Sequence, residues 1–154
     1  MSGTTHRYRA ICTWSGSTAA GYDHYSREHT IATPPASASL TLSSDPAFLG
    51  DPALLNPEQL QLAAAASCQL LSFLAVAARA RVDVLAYSDD AEAEMPEDDP
   101  PVRITVIRLR PHITVAAGTN VAKVPRLVEV AHRECFIANS LSSEMEIVPT
   151  IEVE

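Results

Sequence analysis

From Gln59 to Ala78 the chain runs twenty residues without a charge, and no other stretch limits its fold so strongly. Asn56-Pro57-Glu58-Gln59 leads into this run. Asn is a good N-cap, Pro suits the first helical position, and Gln three residues after the cap can close a capping box. The sequence therefore predicts a helix from Pro57 to about Arg79. On the ~20-residue rule it is long enough to span a bilayer. However, Gln59, Gln61, Ser67, Gln69 and Ser72 interrupt it, and no second span follows. A helix apolar nearly all round is expected to be buried. The expectation is thus the central helix of a soluble, cytoplasmic protein with no membrane partner. Its small residues, Ala63 to Ser67, would let another backbone approach closely.

The length of 154 residues suits a single domain over 1–154. Hydrophobic residues, at 47%, supply a core, and a charged fraction of 19% leaves little scope for global disorder. The net charge of −8 argues against nucleic acid as a partner. Seven acids crowd between Asp89 and Asp99 with no Lys or Arg among them. Without them the chain is nearly neutral, so the acidity reads as a local solvated loop over about 88–101. Cys12, Cys68 and Cys135 are too few and too far apart for a secreted disulfide scaffold. No basic segment followed by an apolar one opens the chain as an export signal would.

Elsewhere, periodicity divides the chain into strands and one more helix. His6 to Trp14 alternates with Tyr8, Ala10, Cys12 and Trp14 on one face, and Tyr22 to Ile31 reads as a second strand. The Pro-, Ser- and Ala-rich connection from Thr33 to Pro57 leaves room for a short strand at Ser39–Leu42. Val82 to Ala93 reads as a strand entering the acidic loop. Val102 to Ala117 reads as one long strand whose inward phase changes near Val106–Ile107, as a β-bulge would cause. Asn120 to Phe136 is a second helix, and Met145 to Val153 a final strand. This order, β-β-α-β-β-α-β, indicates an α+β domain with helices on an antiparallel sheet.

Taken residue by residue, the cysteines leave two readings open. Cys68, in the long helix, and Cys135, at the end of the second, could each be a small core hydrophobe. They could instead be a reactive pair. A thiol beside a cationic group or a helix N-terminus is activated, and a second thiol can condense with its sulfenic acid. Cys12, on the apolar side of its strand, reads as core. His132 and Cys135 stand three apart and invite a metal with Cys68, but zinc sites show tighter ligand pairing and four ligands, so no metal is expected.

In combination, Asn56-Pro57-Glu58-Gln59-Leu60, the approach Ala63-Ala64-Ala65-Ala66-Ser67-Cys68 and the late helix Ala131-His132-Arg133-Glu134-Cys135 resemble the OsmC/Ohr family. The likeness covers most of the chain from Asn56 onward, including the ten-residue step from Glu58 to Cys68. It implies an OsmC-like α+β fold, with antiparallel sheets around a long buried helix and a second helix, in an intertwined homodimer. It also implies a cofactor-free thiol peroxidase that reduces organic hydroperoxides, re-reduced by a small dithiol such as dihydrolipoamide. Carried over by position, Cys68 matches the peroxidatic and Cys135 the resolving cysteine. Glu58 matches the carboxylate that orients a catalytic arginine, and Arg27 is the arginine implied. An arginine held by a carboxylate would stabilise a thiolate and bind a peroxide oxygen.

Three features depart from the family pattern. Tyr22-Asp23-His24-Tyr25 replaces a glycine-rich context, the 44–55 segment differs, and Phe136-Ile137 follows Cys135. Two other functions compete with the peroxidase. One is a non-catalytic ligand-binding or stress-response module on the same fold. The other is a Cys–His hydrolase or transferase using His132.

Overall fold

The structure is a computed structural model and describes residues 3–154. They form two compact units, the first ending at Leu60 and the second beginning at Gln61.

The first unit is built on a three-stranded antiparallel sheet ordered β1-β2-β3: β1 (Ile11–Thr13), β2 (His29–Ala32) and β3 (Ser39–Leu42). Cys12 pairs with Ile31, and Ile31 with Leu40. The third strand falls where the sequence placed it. The first two are shorter than expected. Tyr22–His24 forms a 3-10 turn instead of strand, and Arg27 precedes β2 on an irregular segment. No described residue before Leu42 is buried, so Cys12, expected in a core, is exposed.

After β3 the chain closes a loop on itself. The Ser43 N–H donates to the Leu55 carbonyl at 2.9 Å, and the Asp51 N–H donates to Ser43 Oγ at 3.1 Å. Gly50 is required here, because a Cβ at that position would lie 1.6 Å from the Ser44 carbonyl oxygen. Helix α1 (Pro57–Arg79) then begins with the predicted capping box. The Gln59 N–H donates to Asn56 Oδ1 at 2.8 Å, and the Asn56 N–H donates to Gln59 Oε1 at 3.0 Å.

The second unit holds two three-stranded sheets, ordered β4-β7-β9 and β5-β6-β8. They comprise β4 (Val84–Asp89), β5 (Glu92–Glu94), β6 (Val106–Leu109), β7 (Pro111–Val115), β8 (Glu144–Ile147) and β9 (Thr150–Val153). Helix α2 (Val124–Glu134) lies between β7 and β8 in sequence. The α+β class holds. The sheets are mixed rather than purely antiparallel, since β6 pairs with β8, and β7 with β9, in parallel. The long strand foreseen over Val102–Ala117 divides at Arg110 into β6 and β7, one for each sheet. Its inward residues Ile107, Leu109, Pro111, Ile113 and Val115 keep one phase across the break. Ile104 belongs to the preceding loop, so no bulge is needed at Val106–Ile107. The register shift lies instead in β4, between Val84 and Ala86.

The acidic segment is not wholly a solvated loop. Glu92 and Glu94 stand on β5, where Arg108 binds Glu94 and Glu146, and Arg110 binds Glu92.

One face of α1 supplies the core. Phe73, Val76 and Ala77 pack with Ile113, Val115, Val124, Val128 and Ala131, and Ala65 packs with Ile104, Ile107 and Leu109. The expectation of burial all round fails in the single chain. Ala63, Ala64, Ser67, Leu71, Leu74, Ala75 and Ala78 are exposed at helical spacing, with Leu71 63% accessible. By length and composition α1 could cross a membrane.

Candidate functional site

Two elements of the second unit bring Cys68 and Cys135 together. Cys68 lies half-buried in the middle of α1, and Cys135 is the fully buried C-cap of α2. After Cys135 the backbone turns into a short 3-10 helix, Ala138–Ser140, and this turn aims successive N–H groups at the two sulfurs. The Ala138 N–H donates to Cys135 Sγ at 3.5 Å, and the Asn139 N–H donates to the Cys135 carbonyl at 3.0 Å.

The environments drive the two thiols apart. Burial by itself would raise the Cys68 pKa. Against it, the Ile137 N–H, the Cys135 thiol, the Phe136 N–H and the Ser72 hydroxyl all hydrogen-bond the Cys68 sulfur and hold its pKa below the ordinary thiol value. Burial pushes the Cys135 thiol up to about 11, with the negative charge of Cys68 adding to the effect. Cys68 is therefore the more readily ionised of the two, and Cys135 the thiol held protonated beside it. Both are free thiols.

The Cys68 sulfur opens on a cleft of about 630 Å³. Leu71, Ala75 and Phe136 form its apolar wall, and Arg79, Arg133, Glu134 and Asn139 its polar rim. Arg79 Nη2 meets Glu134 Oε2 at 2.5 Å. Such a cleft can take a small apolar molecule with a polar head and present it to a nucleophilic sulfur.

The other two expected site residues lie in the first unit. Glu58 occupies the first turn of α1, half-exposed. Among the described residues no ion pair joins it to Arg27. The Arg27 guanidinium instead donates to the main-chain carbonyls of Tyr25 and Tyr22. It lines a cavity of about 350 Å³ together with Trp14, His29, Ser43 and Ser44. His132 faces a third cavity, of about 320 Å³, with Met145 and Ile147, and does not line the Cys68 cleft. A Cys68–His132 catalytic pair finds no support in that arrangement. Among the described residues no group of three His, Cys, Asp or Glu side chains is placed to hold a metal.

Sequence reasoning missed Ser72 and the Phe136–Ile137 amides. Ser72 was detectable, because its four-residue step from Cys68 stacks the two side chains on one helix face. The amides depend on how the chain turns after α2, which no residue spacing reveals.

An α+β fold that presents a cleft-facing thiol of lowered pKa beside a buried thiol that donates to it defines a paired-thiol protein. A family profile described as OsmC-like protein matches residues 50–150, and the chain belongs to that family. Among solved structures it is similar to an OsmC-like protein of unknown function from Vibrio cholerae. That pair shares 28% identity over 96% of this chain and 99% of the other, with a TM-score of 0.82. An organic hydroperoxide resistance protein OsmC from Legionella pneumophila shares 20% identity, with 97% and 99% of the chains covered and a TM-score of 0.71. A putative organic hydroperoxide resistance protein from Vibrio cholerae, with captopril in one of its active sites, shares 23% identity. There 97% and 93% of the chains are covered, at a TM-score of 0.68. No curated protein matches the chain.

Proposed function

We propose that the protein is a thiol peroxidase that reduces organic hydroperoxides. The observation that carries this reading is the Cys68–Cys135 pair, with one thiol lowered and its neighbour raised. The Cys68 thiolate attacks the terminal oxygen of ROOH. The O–O bond breaks, RO− leaves and takes up as ROH the proton that Cys68 released to solvent on ionising, and Cys68 becomes a sulfenic acid. Cys135 sulfur then displaces hydroxide from the sulfenic sulfur, its own proton completes a molecule of water, and a Cys68–Cys135 disulfide results. A small dithiol of the lipoyl kind exchanges with that disulfide, restoring both thiols and becoming a cyclic disulfide. The apolar cleft wall favours an alkyl or aryl hydroperoxide over hydrogen peroxide, since buried apolar surface contributes about 25 cal/mol per Å².

The working unit in this reading is a cytoplasmic homodimer. The exposed apolar stripe of α1 and a first unit in which no described residue before Leu42 is buried support a second copy as cover. Glu58 and Cys68 share one unbroken helix, and ten residues at ~1.5 Å each separate them by about 15 Å. A glutamate cannot bridge that length to position an arginine at its own chain's cysteine. Each site therefore takes Glu58 and Arg27 from one subunit and Cys68 from the other.

The deciding experiment is peptide mapping by mass spectrometry after one equivalent of an alkyl hydroperoxide. The expected product is an intramolecular Cys68–Cys135 disulfide with Cys12 still free. A disulfide to Cys12, or thiols left unoxidised, would overturn the mechanism.

A further inference from the structure

Arg27 sits in the angle between two tyrosine rings. Its guanidinium carbon lies 4.1 Å from the Tyr25 ring centroid and 4.7 Å from that of Tyr22. The two rings meet at 84° with centroids 6.3 Å apart. Nη1 donates to the Tyr25 carbonyl at 2.8 Å, and Nη2 to the Tyr22 carbonyl at 2.6 Å. The surroundings fix this arrangement in turn. Trp14 packs edge-on against Tyr25 at 6.2 Å, and its indole N–H donates to the Ser26 carbonyl at 2.7 Å. Because a carbonyl can only accept, His29 Nδ1 carries the proton in its 2.8 Å bond to the Arg27 carbonyl.

A free arginine side chain samples many rotamers, and ordering one at the moment of binding weakens the interaction it makes. Here that ordering is done beforehand by ring faces and main-chain carbonyls. Two N–H groups of the planar fork are engaged, and the guanidinium borders the cavity shared with Trp14, Ser43 and Ser44.

We infer that Tyr22 and Tyr25 are positioning residues that clamp the Arg27 guanidinium and preset its uncommitted N–H donors for an oxygen acceptor in the adjacent cavity. The peroxide oxygen is that acceptor, so the functional half of this inference rests on the peroxidase reading. The carbonyl bonds come from main chain and survive substitution of either ring. The rings' own contribution can therefore be removed separately.

Steady-state assays with cumene hydroperoxide on the full chain test this, comparing wild type with Y25F, Y25L, Y22L, R27M and R27M/Y25L. Y25L and Y22L are expected to lower kcat/KM about tenfold, the scale of one partly desolvated cation–π contact. Y25F, which keeps the ring face, should retain the wild-type value, and Y25L should cost nothing further in the R27M background. An equal loss in both backgrounds, or none in either, overturns the clamp. A wild type without peroxidase activity, or activity undiminished in C68S, would overturn the Cys68 peroxidase reading instead of the clamp. In that event the Arg27 Nε–H proton resonance, identified by its absence in R27M, tests the clamp without turnover. Ring currents should displace it in wild type, and Y25L should return it toward the free-arginine position. An unchanged resonance in Y25L and Y22L overturns the clamp.

Discussion

Ser72 stands one helical turn beyond Cys68, and its hydroxyl is among the groups that keep the Cys68 pKa low. Hydrogen bonds to charged groups contribute about 1.5–3 kcal/mol. Ser72→Ala should therefore raise the Cys68 pKa and slow its alkylation by iodoacetamide several-fold at neutral pH. Ser72→Thr should restore the rate, and equal alkylation rates in all three proteins would remove Ser72 from the site. The two thiols also give stability opposite pH dependences. The folded protein releases the Cys68 proton more readily than the unfolded chain does. That contribution is complete above the ordinary thiol pKa and is lost as pH falls through the folded value. Cys135, held protonated up to about 11, contributes stability below the ordinary thiol pKa, and this is lost as pH rises toward 11. Urea titrations of Cys135→Ser and wild type between neutral pH and pH 11 should show the wild type losing stability relative to the variant as the pH rises. That Cys68 and Cys135 were candidates was legible in the sequence. Which one ionises was implied only by the family resemblance and not by the residues themselves, because the deciding N–H groups come from a turn sixty-nine and sixty-eight residues away.

At the scale of elements, α1 matched its sequence reading at both ends, because a capping box and an uncharged run act within a few residues of chain. Asn56 is buried and bonds Gln59 reciprocally. Asn56→Ala should accordingly destabilise the protein by about 1–2 kcal/mol in urea unfolding, and a change within experimental error would show the cap to be redundant. The Val102–Ala117 strand was misread for the converse reason. Its alternation was correctly seen from Ile107 onward, but alternation reports only which face is buried. Membership of two sheets, with parallel partners β8 and β9 contributed from after α2, is set by long-range pairing. The acids of β5 show the same limit. Read along the chain they are a charge run. Across the sheet, Glu92 stands opposite Arg108.

For the whole molecule, the proposed dimer makes a specific demand. Co-refolded Glu58→Gln and Cys68→Ser chains, each inactive as homodimers, should regain peroxidase activity, because one composite site keeps both Glu58 and Cys68. Persistent inactivity, or a monomer in sedimentation equilibrium, would refute the composite site. The sequence by itself determined the α+β class and the span of α1, and it made Cys68 and Cys135 the candidate thiols. These follow from caps, hydrophobic period and residue type, all of which act locally. Tertiary structure alone decided that one face of α1 is uncovered within a single chain, that the turn after α2 supplies two of the N–H groups that lower the Cys68 pKa, and that Tyr22 and Tyr25 enclose Arg27. Each of these depends on where distant segments meet, and the free energy of such meetings is written in three-dimensional packing rather than in any stretch of chain.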